Sequence, residues 1–254
     1  MRAIFAFLYG LAAYLASQAA LLYFIGFSAD LLVPKSVDTG AIAPWPQALG
    51  VDLALIALFG VQHSVMARKG FKRWWAGSVP PVVERSTFVV ATCGVLGLMF
   101  WLWLPIASPV VWRVEQGAGV ALLWSGFGLG WLMAGVSTFL LNHFELFGLE
   151  QVFTRLTGRT PAAQRFRTPF LYRVVRHPLY LGMLLGFWSV PVMTAGRLLF
   201  AVGFSVYVLI GIAFEERDLV RQFGDRYRRY REQVGMLLPR VGSRRTAAGD
   251  EAAR

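Results

Sequence analysis

The chain has 254 residues, of which 56% are hydrophobic, and a mean hydropathy of +0.54. This composition excludes an ordinary soluble domain and places the chain among integral membrane proteins. Its net charge of +11 comes from 22 Arg and 3 Lys against 14 acids; because the arginines cluster beside apolar runs, the partner implied is anionic membrane lipid and not nucleic acid. The single cysteine, Cys93, lies in an apolar run and cannot form an internal disulfide, and no Cys or His spacing suits zinc, so no metal is expected.

The first apolar run, residues 3–27, is too long for the h-region of a signal peptide and is expected to remain as a transmembrane helix. Runs of spanning length follow at 48–66, 87–106 and 118–141. The fifth and sixth, 179–194 and 198–214, are shorter and are separated by Ala195-Gly196-Arg197, which predicts a tight turn and a short antiparallel hairpin. From Gly242 the chain turns polar and alanine-rich, and disorder is expected there. Residues 1–241 thus read as one polytopic, all-α membrane domain of about six spans, closed by a C-terminal amphipathic helix.

Loop charge predicts orientation. Loop 67–86 has five basic residues and one acid, loop 142–178 has six Arg and two Glu, and the tail from 215 has ten Arg. Loop 28–46 has one Lys and two Asp, and loop 107–117 has one Arg and one Glu. By the positive-inside rule both termini are expected in the cytoplasm of a bacterial inner membrane, which an even number of spans satisfies.

With that topology all three histidines fall at one membrane boundary: His63 ends the second span, His143 follows the fourth and His177 opens the fifth. Glu84-Arg85 precede the third span and Glu215-Glu216 follow the sixth, at the same boundary. Ionisable groups beside apolar spans are functional candidates. Beyond them Leu219, Phe223, Tyr227, Tyr230 and Val234 recur at helical spacing. The helix they predict lies on anionic headgroups, folds back as a lid with its tyrosines inward, or does both.

The run Arg176-His177-Pro178-Leu179-Tyr180-Leu181-Gly182, with Glu215-Glu216 and then Phe223-Gly224-Asp225-Arg226-Tyr227, resembles the C-terminal signature of the isoprenylcysteine carboxyl methyltransferase-like superfamily of membrane methyltransferases. The resemblance covers roughly residues 172–239 and implies S-adenosylmethionine as methyl donor. The residue types suit that ligand. Arg176 can pair with its carboxylate. His177 and the backbone at Pro178 can hydrogen-bond its adenosine or its methionine end, and Pro178 suits a first helical turn. Tyr180 lies on nearly the same face as His177, and Gly182 admits the cofactor or another helix. One of Glu215 and Glu216 would hold the ribose or the ammonium, and the other would orient Arg176 or Arg85. Tyr227, inward-facing if the tail helix folds back as a lid, would complete the cofactor set. No GxGxxG loop is present, which argues against a Rossmann methyltransferase domain.

In the N-terminal half, Gln62-His63-Ser64, Glu84-Arg85-Ser86 and Asn142-His143-Phe144-Glu145 resemble the bacterial methanethiol S-methyltransferases. That resemblance implies methylation of a small volatile thiol to dimethyl sulfide by in-line transfer to a thiolate, with no obligate protein partner. His143 is expected nearest the thiol, hydrogen-bonded by Asn142 or His63; the other route is water-mediated, with Arg85 or Arg176 stabilising the thiolate. The aromatics Phe139, Phe144, Phe147, Trp101, Trp124 and Trp131 either wall a small cavity or simply pack. The alternatives are a prenylcysteine carboxylate or a phospholipid amine as substrate, and a non-catalytic membrane protein of related fold.

Overall fold

The computed structural model describes residues 1–160 and 166–240, so the disorder expected from Gly242 lies outside the described residues. In chain order the elements are α1 (Arg2–Ala29), α2 (Trp45–Met66), α3 (Lys69–Trp75), α4 (Pro81–Leu102), β1 (Val110–Arg113), α5 (Ala118–Leu141), α6 (His143–Leu146), α7 (Leu149–Thr157), α8 (Pro178–Trp188), β2 (Val192–Thr194), α9 (Ala195–Phe223) and α10 (Asp225–Gln233). Five of them, α1, α2, α4, α5 and α9, are long and apolar enough to cross a membrane. The chain is a multi-pass membrane protein of mostly helical fold, with one small ribbon in which β1 pairs antiparallel with β2.

The segment expected as the fifth span is shorter than predicted. α8 has 11 residues, which at 1.5 Å per residue is about 16 Å, roughly half a hydrocarbon core. It packs backbone to backbone on α5: a Cβ added at Gly130 would come within 2.6 Å of the Gly182 carbonyl oxygen and 2.7 Å of the Gly186 nitrogen. Small residues allow this approach between helices in lipid. The turn before α9 also comes earlier than Ala195-Gly196-Arg197, because the Thr194 hydroxyl accepts from the Arg197 N–H and caps the helix, making Ala195 already helical. α4 starts at Pro81, a first-turn proline, so Glu84 and Arg85 lie inside the helix and not ahead of it.

At this turn end of the bundle a clasp holds the loop between α1 and α2. Arg197 donates from Nε to Asp38 Oδ2 (2.5 Å), from Nη1 to the Val192 carbonyl (3.0 Å) and from Nη2 to the Ala29 carbonyl (3.3 Å). The Thr194 hydroxyl donates to Asp38 Oδ1 (2.6 Å). Between the two ends runs an aromatic core that includes Phe24, Phe27, Phe59, Trp131, Phe200 and Phe204.

At the arginine-rich end the single predicted tail helix is two helices. α9 continues to Phe223, and Gly224 then takes φ 56°, ψ −130°, a conformation that glycine alone adopts cheaply. Leu219 and Phe223 therefore belong to α9, and Tyr227 and Tyr230 to α10. After α10 the chain returns across the start of α8: the Arg176 N–H donates to the Gly235 carbonyl (2.8 Å) and the His177 N–H to the Met236 carbonyl (3.1 Å). The tail is thus folded back onto the start of α8.

Candidate active site

The centre of the arginine-rich end is the Glu216 carboxylate. Its Oε1 accepts from Arg176 Nε at 2.7 Å and lies 3.2 Å from His177 Nε2; its Oε2 lies 3.2 Å from Arg231 Nε. Arg176 Nη1 reaches on to the carbonyls of Arg231 (3.1 Å) and Val234 (2.5 Å). One buried carboxylate thus ties the first residues of the α8 segment, the end of α9 and α10 together. Shared hydrogen bonds to cations are what make a buried carboxylate tolerable.

Glu215 is placed differently. Its side chain is 40% exposed and its Oε2 lies 3.9 Å from His177 Nδ1. Three tyrosines close the region from the tail side. The Tyr230 hydroxyl donates to the Tyr172 carbonyl at 2.5 Å, while the Tyr227 hydroxyl, on a side chain 1% exposed, has no partner among the described residues. Burial pushes the phenols of Tyr172, Tyr227 and Tyr230 above their ordinary value, so they remain neutral donors. Beside the clamp is a cleft of about 400 Å³ lined by Arg176, Val220, Arg228, Arg231, Glu232 and Arg240.

His143 sits in a closed aromatic box. Its ring stacks on Phe139 with centroids 4.0 Å apart, and Tyr14, Phe144 and Phe147 meet it from other sides. Nδ1 lies 2.8 Å from Thr138 Oγ1, and Nε2 lies 3.0 Å from the Tyr14 hydroxyl. Burial lowers its pKa below the ordinary 6.5.

His63, in the last turn of α2, stacks on Phe59 and meets Phe88 and Tyr207 at centroid distances of 5.4, 4.8 and 6.1 Å. Its Nδ1 is 3.3 Å from Thr92 Oγ1. Arg85 holds its guanidinium 4.9 Å over the Phe88 ring and donates from Nε to the Leu146 carbonyl at 2.6 Å. Tyr207 lies on α9, the helix that also carries Glu215 and Glu216, and Tyr180 meets the His177 ring with centroids 5.7 Å apart. Among the described residues no hydrogen bond or ring contact joins His143 to these side chains.

Residues 119–226 match the family model described as phospholipid methyltransferase. The chain is 51% identical to Methanethiol S-methyltransferase 1 of Bradyrhizobium diazoefficiens, over 92% of this chain and 82% of that one. It is 50% identical to Methanethiol S-methyltransferase of Mycobacterium tuberculosis, over 91% and 95% of the two chains, and 54% identical to that of Pseudomonas deceptionensis, over 82% and 79%. The chain belongs to the methanethiol S-methyltransferase family. No solved structure matches it.

In this methyltransferase the predicted cofactor residues divide by position. Arg176, His177, Tyr180, Glu215, Glu216 and Tyr227 lie together, and Pro178 is the first residue of α8. Glu216 is the carboxylate that orients Arg176, which leaves Glu215 the freer one. Gly182 is a correction: of the two roles open to it, it serves the helix contact, since a Cβ there would come within 2.7 Å of the Ala134 nitrogen. Asn142 and His63 are not hydrogen-bond partners of His143, which is also a correction. Asn142 caps α6 through the Glu145 N–H and donates to Glu150, and His63 bonds Thr92. The six aromatics form no common wall: Phe139, Phe144 and Phe147 surround His143, Trp131 and Trp124 pack with the central core, and Trp101 is exposed. Sequence reasoning missed Tyr14, Thr92, Thr138 and Tyr207. A polar side chain inside an apolar span was their only signal.

Proposed function

We propose that this methyltransferase transfers a methyl group from S-adenosylmethionine to methanethiol, releasing dimethyl sulfide and S-adenosylhomocysteine. The reaction takes place at the cytoplasmic face of a bacterial inner membrane, with both termini cytoplasmic. The observation that carries the substrate assignment is the 50–51% identity to proteins named for that reaction, extending over 91–92% of this chain. The alternation of arginine-rich and arginine-poor loops supports the orientation.

The residues at the arginine-rich end fit the cofactor. Glu215, half-exposed beside His177, suits an ammonium or a ribose hydroxyl. The Tyr227 hydroxyl is a buried donor that still needs an acceptor. Arg176 uses Nε and Nη1 within the protein and is one of four arginines lining the cleft, where a carboxylate is favoured. When bound, this cofactor supplies an electrophilic methyl group for in-line displacement by a thiolate. The protein's part is to position and to dry the site: the α10 segment, held by Glu216 and by the Gly235 and Met236 carbonyls, covers the start of α8. A small apolar thiol partitions into lipid and enters between helices, and Arg85 offers its thiolate a fixed positive charge.

Headspace gas chromatography of membranes expressing the chain, given methanethiol with and without S-adenosylmethionine, tests this reading. Cofactor-dependent dimethyl sulfide, absent from control membranes, is the expected result. The family model's description favours a second reading, a phospholipid amine as acceptor. Labelled methyl recovered in lipid with none in the headspace would establish that one instead.

A further inference from the structure

We propose that His63 is the base that takes the thiol proton, and that Thr92 positions it. The inference rests on the methanethiol reading and names the group that makes the thiolate.

Hydrogen-bond bookkeeping on the two histidines carries it. A threonine hydroxyl has one proton and two lone pairs. Thr138 gives its proton to the Gly135 carbonyl (2.7 Å), so it accepts from His143, and Nδ1 of that ring bears the hydrogen. The remaining lone pair, on Nε2, accepts from the Tyr14 hydroxyl. Both nitrogens of His143 are therefore committed within the protein, inside an aromatic box.

Thr92 holds His63 in the same way. It donates to the Phe88 carbonyl at 3.0 Å, so its oxygen accepts from His63 Nδ1–H at 3.3 Å and from the Gln62 amide at 3.4 Å. The ring is fixed in the tautomer that leaves the lone pair on Nε2. Among the described residues that nitrogen has no hydrogen-bond partner, and the ring is half-buried. A neighbouring acceptor, Gln62 Oε1, is buried and also lacks a donor. The His63 ring meets Tyr207 edge-on at 6.1 Å, on α9, the helix that carries Glu215 and Glu216, whereas among the described residues no hydrogen bond or ring contact joins His143 to α9. An oriented neutral imidazole with a free lone pair, packed against the helix that carries Glu215 and Glu216, is the arrangement a general base needs.

In the proposed step the thiol proton passes to His63 Nε2, and the S–H electron pair stays on sulfur. That sulfur forms the new bond to the methyl carbon as the bond from the methyl to the sulfonium breaks, its electrons going to the departing thioether sulfur. His63 then returns the proton to water. Charged and titratable groups on the elements packed around the ring are Arg85 and the Glu84–Lys72 pair toward α4 and α3, and Tyr207 and the Asp218–Arg68 pair toward α9.

The test uses the full chain in detergent or nanodiscs. His63→Ala and the shape-conserving His63→Asn are assayed for dimethyl sulfide across pH, and S-adenosylhomocysteine binding is followed by calorimetry. Both variants are expected to bind S-adenosylhomocysteine within about threefold of wild type but to lose roughly 100-fold or more in kcat near pH 7. The deficit should shrink about tenfold per pH unit as rising pH supplies thiolate from solution. Thr92→Val should lose about tenfold through mis-set orientation. Nitrogen-15 spectra of histidine-labelled protein, tractable with three histidines, should show His63 protonated on Nδ1 and free on Nε2. A wild-type-like His63→Asn, a deficit equal at every pH, or an Nε2–H tautomer each overturns the assignment while leaving the methanethiol reading standing. A wild-type chain that makes no dimethyl sulfide overturns both.

Discussion

Arg197 with Asp38 and Arg176 with Glu216 are both largely buried arginine–carboxylate pairs. They lie at opposite ends of the molecule, since Arg197 and Glu216 are separated along α9 by about 28 Å at 1.5 Å per residue. At the Arg197 end everything closes: its Nε, Nη1 and Nη2 all have acceptors, and both Asp38 oxygens are used. At the Glu216 end one carboxylate serves Arg176, His177 and Arg231, while Glu215 remains half-exposed and the Tyr227 hydroxyl has no partner among the described residues. A closed pair locks a loop. A pair surrounded by surplus cations and unmet donors is suited to holding a ligand, because those groups gain partners only when one binds.

The strongest way to break this comparison is Glu216→Gln. Removing one member of a buried pair costs about 3–5 kcal/mol of stability, and because this pair sets the position of Arg176 and His177, kcat/KM of the folded enzyme should also fall by roughly 100-fold, with new protease sensitivity between residues 217 and 240. A variant that keeps both its activity and its protected tail would remove Glu216 from the centre of the site. Asp38→Ala should lose about 3–5 kcal/mol of stability in denaturant titration, yet keep the turnover of its folded fraction within about twofold. If its activity falls in step with Glu216→Gln, the two ends are not functionally distinct.

A smaller effect is expected from Tyr227→Phe. Deleting a buried hydroxyl without a partner should leave Tm unchanged or slightly raised, while S-adenosylmethionine binding measured by calorimetry weakens about five- to tenfold, the worth of about 1 kcal/mol for one hydrogen bond. Unchanged affinity would place the cofactor elsewhere. The smallest effect concerns His143. Its folded-state pKa lies below the ordinary 6.5 because of burial, so the contribution of the neutral ring is complete above pH 6.5 and is lost as pH falls through the depressed value. Melting curves should show wild-type Tm declining on that acid side more steeply than His143→Phe; parallel curves would mean the ring is not held neutral.

The candidate site residues were legible where polar residues interrupt or border apolar runs. His63, Arg85, Arg176, His177, Glu215 and Glu216 stand out in the sequence because lipid tolerates such groups poorly. Their partners were not legible. Thr92 and Thr138 look like ordinary span residues, and which imidazole each one bonds depends on how α4 meets α2 and how α5 turns into α6. Arg231 is one of several arginines on α10, and only the fold-back brings it to Glu216. The short length of α8 followed from its apolar run only in part, because the close contact of Gly130, Gly182 and Gly186 sets how deeply it packs.

By itself the sequence determined the membrane class, the approximate apolar helices, the boundary that carries every histidine, and the family signature. These depend on local composition and period, which water and lipid read one residue at a time. Only the tertiary structure decided that Glu216, and not Glu215, is the shared carboxylate, that the tail covers the site after breaking at Gly224, and that His143 is enclosed while His63 keeps a lone pair free. Each of those outcomes depends on a hydrogen bond or contact between segments far apart in the chain, set by packing geometry that no local pattern encodes.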